Sequence, residues 1–78
     1  MLQVSQNACF DFNAMTDCNC NEEASASIKG IFAQAVPLEL TKELKKEFRK
    51  WGKKPILFRH RDWILVLQND VIVCVHKI

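Results

Sequence analysis

The feature that most constrains the fold is the change of pattern that follows Pro55. Beyond it, three short apolar runs rich in β-branched and aromatic residues occupy positions 56–58, 63–67 and 71–75, and polar residues separate one run from the next. Runs of this length and composition are typical of β-strands. Asn69 and Asp70 tolerate the positive φ angles of a two-residue hairpin turn. We therefore expect a three-stranded antiparallel β-meander over residues 55–78.

The expected strand register makes both faces of this sheet apolar. A loop at positions 69–70 pairs Leu65 with Cys74, and a loop at positions 60–61 pairs Phe58 with Trp63. A half-exposed antiparallel sheet would instead alternate apolar and polar residues. Two covering layers are therefore needed. Either the N-terminal half or a second copy of the chain supplies them, and we expect a homodimer through one sheet face to contribute.

The segment before the meander has the pattern of an amphipathic helix over residues 40–51. Thr41 is a candidate N-cap, Pro37 offers a start one turn earlier, and Gly52 suits the C-terminal end. The apolar residues recur at helical spacing on one side. They are Leu40, Leu44, Phe48 and Trp51. This helix should pack its apolar side on the sheet and turn a row of cations toward solvent.

The first half of the chain has weaker patterns. Residues 8–14 alternate apolar and polar side chains, which predicts a short strand, and residues 15–21 have no regular pattern. Asn21, followed by Glu22 and Glu23, is typical of a helix start, and apolar residues then follow at helical spacing. A second helix is therefore expected after the loop.

Together these patterns predict an α+β fold. A chain of 78 residues buries only about 60% of its unfolded surface, so a multidomain enzyme and a long repeat array are excluded. We expect one small domain over residues 1–78, with a strand plus loop at 1–21, a helical part at 22–52 and the meander at 55–78. One or two helices should pack on an antiparallel sheet of three or four strands.

The charge distribution carries the main functional information. Residues 42–61 contain nine basic and two acidic residues, a net charge of +7, whereas residues 1–41 contain one basic and five acidic residues, a net charge of −4. Such clustering creates a local positive field that suits an anionic partner. The residues expected to bind nucleic acid are Lys42, Lys46, Arg49, Lys53, Arg59 and Arg61.

The four cysteines do not predict a metal site or another cofactor. Cys18 and Cys20 are one residue closer together than the common zinc-ligand pair. Cys74 shares its expected strand face with His76 but lies within an apolar run, where a thiol packs as a small hydrophobic group. We expect neither metal nor cofactor, and no disulfides. The sequence has no secretory signal pattern or membrane-spanning stretch, so a cytoplasmic protein without a membrane partner is expected.

The leading functional hypothesis is a small non-enzymatic binding protein whose basic helix contacts an anionic partner, nucleic acid first. One alternative is an accessory or inhibitor module of a phage or mobile element that docks on an acidic protein surface. A second alternative is a small metal-free ribonuclease using His60, His76, Arg59 and Arg61. In element order, a helix before a three-stranded meander resembles the small bacterial ribosome-dependent toxin endoribonucleases, without a shared motif.

Overall fold

The computed structural model describes residues 2–52 and 54–78. These residues form three α-helices, one short 3-10 helix and five β-strands. The α+β class is the predicted one, but the number of α-helices exceeds the one or two that the sequence predicted, because residues 6–15 are helical. In chain order the elements are β1 (Gln3–Val4), α1 (Gln6–Met15), α2 (Asn21–Gln34), β2 (Val36–Leu38), α3 (Lys42–Glu47), the 3-10 helix Arg49–Trp51, β3 (Ile56–His60), β4 (Trp63–Gln68) and β5 (Val71–Lys77).

The strands form one mixed sheet in the order β1-β5-β4-β3-β2. The expected meander β3-β4-β5 is its centre, and its pairing is antiparallel. Two short strands extend it beyond the expected three or four, because β2 pairs antiparallel with β3 and β1 pairs parallel with β5. Pro37, considered as a possible helix start, lies in β2 instead.

The turn between β4 and β5 forms at Asn69 and Asp70 as predicted. Their φ angles are 52° and 63°, the left-handed conformation of a tight hairpin. The preceding turn lies one residue later than expected, because Arg61 adopts a φ of 52° and His60 pairs with Trp63. Phe58 therefore pairs with Leu65 rather than Trp63. A shift of two positions keeps every side chain of β3 and β4 on its expected face.

A β-bulge in β5 overturns part of the predicted register. Gln68 pairs with Val71 as expected, but the pairing shifts between Val66 and Leu67. Leu65 therefore lies opposite Val75 instead of Cys74. One extra residue in a strand reverses the face of every side chain that follows it. The bulge therefore places Cys74 and the residues after it on the opposite faces from those expected.

The hairpin turn is expected to be sensitive to side-chain shape at Asp70. An Asp70→Val substitution should lower the free energy of unfolding by about 1–2 kcal/mol relative to Asp70→Gly, because a β-branched residue is strained at positive φ. Urea denaturation of the two variants measures the difference, and both lack the same carboxylate. Equal stability of the two would contradict a left-handed residue at this position.

The region predicted as a strand over residues 8–14 is a helix, so that prediction is wrong. The Ser5 side chain caps helix α1 by accepting a hydrogen bond from the Ala8 backbone N–H at 3.1 Å. Ala8, Cys9 and Phe12 are buried, and this spacing is helical. Phe10, which completed the apparent alternation, is 55% exposed. The alternating pattern was misleading because it counted Phe10, an exposed aromatic residue, as part of a buried face.

Both faces of the sheet are covered by helices of this chain. On one face, α1 and α2 pack on a cluster that includes Leu65, Ile72 and Val75. On the other face, Phe48 packs with Leu57, Ile64 and Val66. A second copy of the chain is therefore not needed to cover either face of the sheet. Within the described residues, no helix is both long and apolar enough to cross a membrane.

Candidate functional site

Helix α3 is positioned by caps and by one buried aromatic residue. The Thr41 hydroxyl accepts a hydrogen bond from the Leu44 N–H at 3.3 Å, as expected of an N-cap. The α-helix is shorter than predicted, since it ends at Glu47 with Phe48 as its C-cap. A separate 3-10 turn then covers Arg49–Trp51. Gly52 ends this turn with a φ of 109°. Phe48, only 3% exposed, fixes the segment to the sheet and leaves its opposite side in solvent.

Four cations of this segment surround one open concavity of about 580 Å³. Lys42, Lys46 and Arg49 belong to the predicted set, and Lys45 and Gly52 complete the lining. All four basic side chains are exposed. Among the described residues, none of the four has a carboxylate within ion-pair distance, since the single contact of that kind there joins the His76 imidazole to Glu47. We call this group of four the basic concavity.

The fold converts the charge pattern of the sequence into two differently charged layers. The segment 6–34, which forms α1 and α2, has four acidic residues and one basic residue, a net charge of −3. The segment 42–51 on the other sheet face has five basic and two acidic residues, a net charge of +3. Opposite charges on opposite faces give the molecule a charge asymmetry across the sheet. The basic concavity lies on its positive side.

The remaining predicted cations do not line the basic concavity. Arg59 lies on β3, where its Nε donates a hydrogen bond to the Arg61 carbonyl oxygen at 3.0 Å. Arg61 is exposed in the β3–β4 turn. Lys53, the sixth predicted residue, lies outside the described residues. The six predicted residues thus divide into three at the concavity, two at β3 and its turn, and one that the structure does not describe.

A second concavity, of about 410 Å³, lies between α3 and the sheet. Arg59, Glu47 and His76 line it, over an apolar floor that includes Leu44 and Ile64. The His76 Nε2 lies 3.1 Å from Glu47 Oε1, and the ring contacts Phe48 edge-to-face with 5.7 Å between centroids. We call this space the α3–β groove. Sequence analysis missed it, because the bulge moves His76 to this face.

The two histidines considered for ribonuclease chemistry lie on opposite faces of the sheet. His60 pairs with Trp63, which packs in the cluster beneath α1 and α2. His76 pairs with Ile64, which packs in the cluster beneath α3. An in-line cleavage needs its acid and base around one phosphate. The fold does not bring this pair together.

The cysteines differ in their surroundings. Burial raises the pKa of the Cys9 thiol, and the neighbouring Cys18 adds to the effect. Burial also raises the pKa of Cys74, reinforced by Asp11, while Trp51 and Lys50 oppose the rise. A raised pKa disfavours the thiolate, which is the reactive and metal-binding form. Within the part of the chain that is described, no three His, Cys, Asp or Glu residues are placed to hold a metal ion.

Lys45 is the cation that the sequence analysis missed at the basic concavity. On an ideal helix it lies toward one side of the row formed by Lys42, Lys46 and Arg49. The helix gives way to a 3-10 turn after Glu47, which changes the direction of the residues that follow. The signal that could have found Lys45 is its spacing, three residues after Lys42 and four before Arg49, because residues so spaced are neighbours on a helix.

Comparison with known proteins adds nothing to this geometry. No protein-family model, no curated protein and no solved structure matches the chain.

Proposed function

We propose that this protein is a small binding protein whose basic concavity contacts the phosphates of a nucleic acid. The observation that carries the proposal is the convergence of four exposed cations, Lys42, Lys45, Lys46 and Arg49, on one concave surface. Contact with phosphates releases condensed counterions, and this supplies affinity without sequence recognition. These four cations lie on the sheet face opposite the acidic layer formed by α1 and α2.

Two features of the concavity favour phosphates over an incidental solvated helix face. The cations have no carboxylate partner among the described residues, so binding would not first have to break ion pairs. Their helix is also anchored by Phe48, so the cations project from a fixed backbone. Because the backbone that carries the four cations is fixed before binding, less conformational entropy is lost when a phosphate chain is bound.

The proposal predicts a salt-dependent affinity that one charge reversal reduces. With four phosphate contacts, log affinity should fall with log salt at a slope of about −3.6 on duplex DNA and about −2.8 on a single strand. Lys46→Glu should weaken binding to all sequences and reduce the size of the slope by about 1. Fluorescence anisotropy over a range of salt concentrations measures both quantities.

The matched control is Lys29→Glu. Lys29 is also an exposed helical lysine, and its reversal changes the net charge by the same amount, but it lies on α2 in the acidic layer. We expect Lys29→Glu to bind nearly as well as the unchanged protein, and both variants to melt normally. Equal losses in the two variants would contradict a localised site. Absence of binding at low salt would overturn the proposal and favour an acidic protein surface instead.

A further inference from the structure

The α3–β groove contains a cross-strand row of residues suited to a flat ligand. Arg59 on β3 pairs with Ile64 on β4, and Ile64 pairs with His76 on β5. Paired residues of an antiparallel sheet project from the same face. Arg59 and His76 therefore flank the aliphatic side chain of Ile64, one on each side. Each of the two ends in a planar group, a guanidinium or an imidazole.

The α3–β groove is large enough for one flat ring beside this row. Neighbouring strands lie about 4.8 Å apart, so the backbones of β3 and β5 are about 9.6 Å apart. A flat ring placed between two planar groups needs about 7–8 Å between those groups, since each carbon contact is about 3.5–4.0 Å. Ile64 is only 5% exposed, so a base would lie in the open part of the groove of about 410 Å³, between Arg59 and His76 and at the edge of Ile64.

The imidazole is already held in place. His76 contacts the Glu47 carboxylate through Nε2 at 3.1 Å and the Phe48 ring at a centroid distance of 5.7 Å. These contacts fix the ring from α3, so that it would not need to be ordered on binding. Lys77 also lines the groove, but its ammonium lies 5.6 Å from the centroid of the Trp63 ring, on the other sheet face.

The groove adjoins the proposed phosphate-binding surface. Helix α3 contributes Leu44 and Glu47 to the groove and Lys42, Lys45 and Lys46 to the basic concavity. A nucleic-acid strand whose phosphates cross α3 would bring a base to the groove. Histidine rings and arginine planes are common stacking surfaces for unpaired bases. In a duplex the bases are already paired and stacked, so they cannot enter.

We infer that the α3–β groove receives one base of a single-stranded nucleic acid, between Arg59 and His76 and at the edge of Ile64. This inference rests on the proposed function, because the phosphates would be held by the basic concavity. It adds a preference for single strands over duplexes, which the cations alone would not give. Arg59, which does not line the basic concavity, would instead stack on the base in the groove.

The test compares two single strands of equal length and charge, one with bases and one whose sugars carry none. We expect the protein to bind the strand with bases at least about fivefold more tightly, the lower end of one stacking contact. His76→Ala should reduce this ratio to about one, and so should Arg59→Gln. His76→Phe, which retains an aromatic ring, should restore the preference. Thermal melting of each variant checks that the fold is retained.

The outcomes separate this inference from the proposed function. Lys46→Glu should weaken binding of both strands equally, because it acts on phosphates alone. Equal affinity of the unchanged protein for both strands would overturn the base subsite and leave the phosphate site standing. Failure of both strands to bind at low salt would overturn the proposed function itself. A preference that survives both His76→Ala and Arg59→Gln would place the base elsewhere.

Discussion

Replacing Phe48 with alanine is expected to lower the free energy of unfolding by about 3–5 kcal/mol, the usual loss for a buried phenylalanine. Phe48 is 3% exposed and packs with Leu57, Ile64 and Val66 on the sheet. Its removal would leave a cavity beneath α3, which is a helix of only six residues. So short a helix has little stability of its own and depends on such packing.

Phe10→Ala is the matched control for this prediction. Both variants remove one phenyl group, but Phe10 is 55% exposed on α1, and alanine is a better helix former than phenylalanine. We expect the control to change stability by less than about 1 kcal/mol. Urea denaturation followed by circular dichroism measures both variants. Similar midpoints for the two would contradict the packing of α3 on the sheet.

The Phe48 substitution also links stability to the proposed binding. The backbone of α3 carries the basic concavity on one side and the wall of the α3–β groove on the other. Under conditions where Phe48→Ala remains folded, its looser helix should bind nucleic acid more weakly, although no cation has been removed. Lys46→Glu should also weaken binding, but it should leave stability unchanged. The two variants thus distinguish the packing that positions α3 from the contact that Lys46 makes with a phosphate.

The C-terminal half of the fold could be read from the sequence because its signals are local. A run rich in β-branched and aromatic residues predicts a strand in most proteins, and Asn69 with Asp70 favours a tight turn. The stripe at Leu40, Leu44 and Phe48 likewise predicted which side of α3 is buried, and Phe48 is buried there. Each signal involves residues within a few positions of one another.

The features that could not be predicted depend on distant pairing. Strand β1 has two residues and exists because the chain before α1 reaches the edge of β5. The bulge in β5 leaves no mark in its composition, yet it decides which face carries His76. For the same reason the α3–β groove was not expected. Its members include residues of α3, β3, β4 and β5, and the strand register places Arg59, Ile64 and His76 in one row.

The charge clustering was visible in the sequence, but its geometry was not. Counting charges shows that residues 42–61 are basic. It does not show that Lys45 joins Lys42, Lys46 and Arg49 while Arg59 faces a different space. That division depends on where the helix stops and on the strand register. It is also what suggests separate roles, with phosphates at one surface and a base at the other.

Replacing Ile72 with alanine should lower the free energy of unfolding by about 2–5 kcal/mol. Ile72 is fully buried between the sheet and the helices α1 and α2, and it lies on β5 where β1 and β4 both pair with it. The matched control is Ile56→Ala on β3, since that isoleucine is 55% exposed. The control should cost less than about 1 kcal/mol, because most of its side chain already contacts water.

The Ile72 pair tests the part of the fold that the sequence did not predict. If residues 8–14 formed a strand, α1 would not exist and the sheet face around Ile72 would lose the part of its cover that α1 provides, keeping only that of α2. The loss at Ile72 would then be smaller and closer to that at Ile56. A loss several times larger at Ile72, measured by urea denaturation, is the result that the packing of α1 on β5 requires. Small domains have about 5–15 kcal/mol of total stability, so a loss of about 5 kcal/mol would leave about half of the Ile72→Ala molecules unfolded without denaturant where the total is about 5 kcal/mol.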